Sequence, residues 1–435
     1  MKNFLKKAIV LILICEARLV LSRYRPKIIA ITGSMGKTAA KDAICAALSG
    51  GGLRARKSEK SFNSELGVPL TILGLENAWR NPLRWAENIL RGLWLAARKT
   101  GYPAWLVLEV GADRPGDIRK IARWLRPDIA VITGVPEIPV HVEFFRSAEE
   151  LAREKRALAE YLAPGGTLVL NGDDSHMAAL CAEFAEQTVT YGMDKRLDWH
   201  AAHLSVEYEK KKPTGIRFTV DHQGAALPVS IRSALGRPRA YAALAAFAVA
   251  YTVGVGSDMV ARALSAWMPP PGRMRIIPGA NGSTIIDDTY NSSPAAALSA
   301  LDTLKDINVP PGGKRIAVLG DMLELGRYAS EAHRNVGARA AACADTLITV
   351  GFRARAAGKA ALNAGLPEGN IREYEMNESG RAGEELKNKL SEGDVVLVKG
   401  SQSMRMERAV EALMAEPERA SELLVRQDPE WLTKD

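Results

Sequence analysis

Residues 27–42, Lys-Ile-Ile-Ala-Ile-Thr-Gly-Ser-Met-Gly-Lys-Thr-Ala-Ala-Lys-Asp, constrain this chain more than any other stretch. The β-branched run Ile28 to Ile31 predicts a buried parallel strand. Gly33-Ser34-Met35-Gly36 supplies a tight turn, and Lys37-Thr38 opens a helix that continues through Leu48. Strand, glycine turn and Lys-Thr helix start together make a phosphate cradle. The glycines let backbone N–H groups approach phosphate oxygens, and the helix start adds partial positive charge. Lys37 reaches the terminal phosphates, and the Thr38 hydroxyl is a ligand for Mg²⁺. Ile31 stands where the full G-x-x-x-x-G-K-[ST] pattern has its first glycine. An ordinary glycine turn is the alternative, but it leaves the Lys-Thr pair unexplained.

The remaining totals narrow the class. A chain of 435 residues has room for two or three domains, each with its own core. Basic residues give a net charge of +8, yet they are spread along the chain without aromatic interleaving. That favours anionic substrates or an anionic membrane surface and argues against nucleic acid. Cys15, Cys45, Cys181 and Cys343 lie far apart with no C-x-x-C, so a zinc ribbon is not expected and buried thiols in a reducing compartment are.

Two segments are unusually apolar for loops or surface helices. In residues 1–26, Lys2, Lys6 and Lys7 precede the run Ala8 to Cys15, and Glu16 and Arg18 then interrupt it. That run is far short of the roughly 20 residues a span requires, and no small-residue cleavage site follows. It reads either as a helix packed on the nucleotide domain or as an amphipathic helix lying on a membrane. Residues 75–103 place Trp79, Trp85 and Trp94 among Arg80, Arg84, Arg91 and Arg98, again consistent with packing or with an interfacial helix. The expected location is cytoplasmic; packing of both segments on the protein leaves it there, and the interfacial alternative adds peripheral contact, through residues 1–26 and 79–98, at the inner face of the cell membrane.

Further strands follow. Ala104 to Ala112 reads as a buried strand carrying Glu109 toward its C-terminal end, where an α/β sheet opens its ligand crevice; beside a phosphate loop that carboxylate suits Mg²⁺. Asp128–Thr133 and Gly166–Asp174 are two more strands, with a loop holding His141 and Glu143 and a helix 149–162 carrying Lys155 between them. Residues 197–232 alternate as antiparallel strands, and 236–255 form an alanine-rich buried helix. Pro269-Pro270-Pro271-Gly272-Arg273 marks a domain boundary, beyond which strands at 284–288, 315–321, 346–350 and 395–400 predict a small parallel sheet. The expected organisation is an α/β protein: a helix at 1–26, a P-loop parallel-sheet central domain at 27–268, and a smaller Rossmann-like domain at 269–435.

These motifs resemble the Mur ligases, ATP-dependent amide-bond-forming enzymes of peptidoglycan precursor synthesis, and most closely the MurF type. The resemblance runs through about residues 27–415 and is carried by Ile31–Thr38, Asn63–Leu70, Leu108–Ala112, His141 with Lys155, Pro271–Arg273, Ile286–Asn291, Leu319–Gly326 and Val398–Ser401. It implies an acyl phosphate made from ATP and a substrate carboxylate, attacked by an amine such as D-Ala-D-Ala. It assigns Gly33, Ser34, Met35, Gly36, Lys37 and Thr38 to the phosphates. Thr38 and Glu109 would hold one Mg²⁺, and Glu109, His141 and a carbamylated Lys155 a second. Arg273, Asp288 and Asn291 would grip ATP from the C-terminal domain, and Asn63, Ser64 and Glu65 would face the γ-phosphate and the acceptor.

Three departures accompany the resemblance. The usual N-terminal domain that binds the uridine-nucleotide end of the substrate is expected to be missing. The segment 75–103 is longer and richer in Trp. The asparagines of the family's Gly-x-His-Asn-x-x-Asn segment are replaced in Gly236-Arg-Pro-Arg-Ala-Tyr-Ala242. The competing expectations are therefore a different or membrane-linked acceptor, or a non-catalytic nucleotide-binding scaffold at the membrane.

Overall fold

The computed structural model describes residues 2–58, 62–79, 81–98, 100–112, 114–135, 145, 147–428 and 431. The first sheet has nine strands: β1 (Lys27–Thr32), β2 (Ala55–Lys57), β3 (Trp105–Glu109), β4 (Ile129–Ile132), β5 (Thr167–Asn171), β6 (Thr188–Gly192), β7 (Trp199–Glu209), β8 (Lys212–His222) and β9 (Ala225–Arg232). Their order is β2-β3-β1-β4-β5-β6-β7-β8-β9, parallel up to β7 and antiparallel from β7 to β9.

The pleat explains the apolar runs. Successive side chains point to opposite faces, so a strand buried on both faces is apolar throughout. Ile29, Ile31, Val107, Val131 and Val169 face one core, shared with α2 (Lys37–Gly50) and the alanine-rich helix Arg237–Thr252. Ile28, Ala30, Leu106, Leu108, Ile132 and Leu170 face the other, which is closed by α1 (Lys2–Tyr24), α3 (Gly67–Leu73), α5 (Asp117–Leu125) and α6 (Ala148–Glu160). One further helix, α4 (Pro82–Ala97), packs on α1 and reaches the second core with Trp85, Leu95 and Ala96. Asn81 caps it by accepting from the N–H groups of Leu83 and Arg84, with Pro82 at its first position.

The second sheet is built from β10 (Arg275–Pro278), β11 (Thr284–Asp288), β12 (Arg315–Gly320), β13 (Thr346–Val350), β14 (Ile371–Tyr374) and β15 (Val395–Lys399), in the order β10-β11-β15-β12-β13-β14. The four strands expected from the sequence, β11, β12, β13 and β15, pair parallel, and two edge strands that the sequence did not reveal, β10 and β14, are added to them. β10 runs antiparallel to β11 at the edge, because only a short turn, 279–283, joins them, and so short a link excludes a parallel crossover. The expectation of buried thiols needs correcting: Cys343 is buried, but Cys45 and Cys181 are half-buried and Cys15 is exposed on α1.

Candidate active site

The phosphate loop joins β1 to α2 at the C-terminal edge of the sheet. Gly36, at φ 77°, precedes α2 in the left-handed region that favours glycine. Gly33 is required for a second reason: a Cβ there would lie 1.9 Å from Thr133 Oγ1. Thr133 reaches into the loop and donates to the Met35 carbonyl, while the Ser34 N–H donates to the Gly134 carbonyl at 2.8 Å. The Ser34 hydroxyl is buried without a hydrogen-bond partner. Lys37 folds back across the turn and donates to the Gly33 carbonyl at 2.8 Å, which holds its ammonium over the loop.

Glu109, 1% exposed, collects the neighbouring groups. Thr38 Oγ1 donates to its Oε2 at 3.0 Å, and Asn63 Nδ2 donates to its Oε1 at 3.2 Å. The Asn63 loop is anchored to the strand end by Gly111 N–H, which donates to the Asn63 carbonyl at 2.8 Å. Ser64 accepts from the N–H of Gly67, the first residue of α3, at 3.3 Å; Glu65 pairs with Lys120 of α5 at 3.5 Å. Sequence reasoning missed Lys41. It is fully buried one turn beyond Lys37, donates to the Ser58 carbonyl at 2.8 Å and lies 4.0 Å from Glu109. Burial lowers its pKa, opposed by Asp42 and Glu109. The helical period, i to i+4 from Lys37, was the only available signal.

Lys155 is 3% exposed on α6. Its pKa is pushed down to about 7, first by burial and then by the Lys37 charge, with Glu154 opposing. Glu154 fixes α6 in place, because its two oxygens accept from the N–H groups of Gly116 and Ile118 at the start of α5, both at 2.7 Å. His141 lies outside the described residues.

The C-terminal domain reaches the same loop. Arg273 donates from a guanidinium nitrogen to Thr38 Oγ1 at 3.3 Å and stacks over Tyr290 at 4.0 Å. Buried Asp287 holds the turn that carries Arg273, accepting from Gly272 N–H at 2.9 Å and from the Thr289 hydroxyl at 2.6 Å. Its pKa is raised to about 6 by burial against those hydrogen bonds. Asp288 is paired with buried Lys399 at 2.6 Å and accepts from Met274 N–H at 3.2 Å; Lys399 also donates to the carbonyl of exposed Asn291 at 2.9 Å. Arg239, one of the replaced positions in the 236–242 segment, is buried, donates to the Arg273 carbonyl and lies over Trp267 at 5.7 Å. Burial brings its pKa down to about 10.

Among the described residues no three His, Cys, Asp or Glu side chains converge. The Thr38 hydroxyl and the Glu109 carboxylate are nonetheless the hard oxygen donors that Mg²⁺ takes, usually one or two from protein with phosphate completing the shell. The residues therefore fit the ion. A glycine-turn phosphate loop, a buried carboxylate beside its threonine, and a cation delivered from a second domain define an enzyme that handles nucleotide phosphates between two domains.

Comparisons with known proteins narrow this class. The Mur ligase middle domain matches residues 91–250, and the Mur ligase glutamate ligase domain matches residues 272–402. The UDP-N-acetylmuramoyl-tripeptide–D-alanyl-D-alanine ligase of Mycobacterium tuberculosis (strain CDC 1551 / Oshkosh) is 32% identical over 409 residues, 89% of this chain and 73% of the relative. The Bacillus subtilis (strain 168) protein of the same name is 29% identical over 408 residues, 92% of this chain and 79% of the relative. Among solved structures, the MurF ligase from Thermotoga maritima in complex with ADP superposes with a TM-score of 0.73 at 24% identity, covering 93% of this chain and 83% of that one. The chain belongs to the Mur ligase family and is an ATP-dependent amide ligase of the MurF type.

Proposed function

We propose that the enzyme activates a carboxylate of a peptidoglycan-precursor peptide as an acyl phosphate and joins it to D-Ala-D-Ala or a similar amine. The observation that carries this reading is the cross-domain hydrogen bond from Arg273 to Thr38, beside Glu109, which puts cations of both domains at one phosphate loop. The choice of substrates follows the names of the relatives.

In this reading a carboxylate oxygen attacks the γ-phosphorus and the bond to the ADP oxygen breaks. The amine nitrogen then attacks the acyl carbon, phosphate leaves, and the nitrogen gives up a proton. Two anions must meet first. Lys37 and Arg273 lower that repulsion, and Asn63, tied to Glu109, orients the loop on which Ser64 and Glu65 face the acceptor. Thr38 with Glu109, and Glu109 with His141 and Lys155 as its carbamate, would hold two Mg²⁺, which when bound supply charge neutralisation between nucleotide and carboxylate. Lys155 suits the modification because burial leaves much of its amine neutral near pH 7, and the neutral amine adds to CO₂ with loss of a proton. Arg273, Asp288 and Asn291 grip ATP from the far side of the cleft, and domain closure gates the step.

A lipid-linked acceptor is the second reading, favoured by the apolar side chains that α1 and α4 expose. The test is phosphate release from MgATP with a uridine-nucleotide tripeptide precursor and D-Ala-D-Ala, then with the lipid-linked equivalent, and Lys37→Ala as the blank. Release that requires both the peptide and the amine is expected. Binding of MgATP without release on any such pair overturns the assignment.

A further inference from the structure

The described residues expose fifteen large apolar side chains, and eight of them belong to α1, α4 and the turn before α4: Leu11, Ile12, Leu19, Trp79, Leu83, Leu90, Leu93 and Trp94. Scattered single exposures are ordinary, whereas such a concentration marks an interaction surface. The helices that carry it are firmly seated. Leu13, Ala17 and Val20 of α1 are fully buried against the domain core. The Tyr24 hydroxyl donates to the Arg98 carbonyl at 2.7 Å, and Asn88 Nδ2 of α4 donates to the Glu76 carbonyl at 2.9 Å. At the seam Gly92 lets α4 approach so closely that a Cβ there would lie 2.1 Å from a Glu16 carboxylate oxygen.

The arrangement on each helix is sorted by chemistry. In α4, Leu83, Leu90 and Trp94 recur at helical spacing on one exposed stripe. Arg84 and Arg91 run beside it at seven-residue spacing, and Arg98 continues that stripe just past the helix end. On α1, Ile12, Glu16, Leu19 and Arg23 share a stripe, so two exposed apolar side chains border the seam with α4. The exposed charges of α1, α4 and their flanks are Lys6, Lys7, Arg18, Arg23, Arg25, Arg84, Arg91 and Arg98, against two exposed acids, Glu76 in the turn before α4 and Glu87, which is already paired with Arg91 at 2.7 Å. Apolar and aromatic side chains beside a one-sided basic charge complement the acyl–headgroup boundary of an anionic bilayer. No helix among the described residues is long and apolar enough to cross a membrane, so the pair would lie in the interface plane.

We infer that α1 and α4 together form a docking surface for an anionic lipid bilayer, with Leu90 and Trp94 inserted among the acyl chains and the arginines at the headgroups. The surface holds whatever amine the ligase uses. It bears on the proposed function because α1 runs into β1, and hence the phosphate loop, through only residues 25 and 26.

The test uses the full chain and vesicles of phosphatidylcholine, with or without about a third phosphatidylglycerol, in flotation at low and high salt. Binding is expected to the anionic vesicles, to weaken about tenfold or more when salt is raised, and to fall at least about tenfold in Leu90→Glu/Trp94→Glu. A Trp94→Phe variant identifies the inserted ring by its loss of tryptophan quenching with brominated acyl chains. The altered side chains are exposed, so the melting temperature and MgATP binding should stay at wild-type values and report folding separately. Failure of the wild type to float with anionic vesicles at low salt overturns the inference. So does equal binding by the double variant, or a wild-type dimer that the double variant converts to monomer. None of these outcomes depends on turnover, so failure of the ligase assignment is read separately.

Discussion

Glu109 and Glu16 are both glutamates withdrawn from water, at 1% and 2% exposure, and they teach opposite lessons about burying a charge. Glu109 sits at a strand end with Thr38 and Asn63 donating to its two oxygens and Lys41 at 4.0 Å. Glu16 sits in the α1–α4 seam, and neither oxygen has a hydrogen-bond partner. The first is a polar cluster completed around a carboxylate, with two donors and a nearby ammonium. The second is a carboxyl accommodated by the absence of a side chain at Gly92, and its pKa has risen to about 7 through burial alone. A buried acid surrounded by donors points to chemistry, whereas one facing a glycine points to close helix packing.

The largest effect should come from the first cluster. Glu109→Gln keeps the shape and one acceptor but removes the charge, and is expected to lower amide-forming turnover by about a thousandfold with little change in melting temperature. Steady-state ADP release checks it, and a loss smaller than tenfold would separate Glu109 from the reaction. Arg273→Ala comes next. It removes a charged donor that bridges the domains to Thr38, so kcat/KM for ATP should drop by about ten- to a hundredfold. Arg273→Lys should recover only part of this, since a lysine cannot both stack on Tyr290 and keep a forked donor aimed at the loop. Gly92→Leu shifts attention to the second acid. Its side chain would occupy the space of the Glu16 carboxylate, and a cost of about 1–3 kcal/mol in chemical denaturation is expected, with ATP affinity unchanged.

The same contrast explains what could be read from the sequence. The phosphate loop was legible because glycine positions, a β-branched strand and a Lys-Thr helix start are contiguous, and each step has a local physical reason. Glu109 was legible because an apolar run that stops at a carboxylate marks the end of a buried strand. Strands β1, β3, β4, β5, β11, β12, β13 and β15 were legible for the same reason, since burial on both faces leaves no polar alternation to confuse; β6, inside the first sheet but half-buried over its first three residues, was not. Edge strands β2, β10 and β14 were not, being three or four residues long. Lys41 reads as any helix lysine until Ser58 and Glu109 are brought to it from other elements. Arg239 reads as a departure from a family pattern, and only the fold turns it into a link from the alanine-rich helix to the Arg273 carbonyl. Between Glu16 and Gly92 the chain runs through β1, α2, β2 and α3, and no local signal couples them. For α1 the two readings offered by the sequence were alternatives; the helix has a fully buried stripe and an exposed apolar one, and so carries features of both.

The smallest predicted effect sharpens the comparison most, because its sign depends on pH. The folded-state pKa of Glu16, about 7, stands above its ordinary 4.5. Stability associated with the neutral carboxyl is therefore fully present below pH 4.5 and is lost as pH rises through 7, where the buried group must ionise or the seam must open. Glu16→Gln keeps the size of the side chain and stays neutral throughout. The variant should match the wild type in melting temperature near pH 5 and exceed it by about 2 °C at pH 8. Thermal melts at the two pH values check this. A variant less stable than wild type at pH 8 would mean that ionised Glu16 has a cationic partner in solution, and the two buried glutamates would then differ in degree and not in kind.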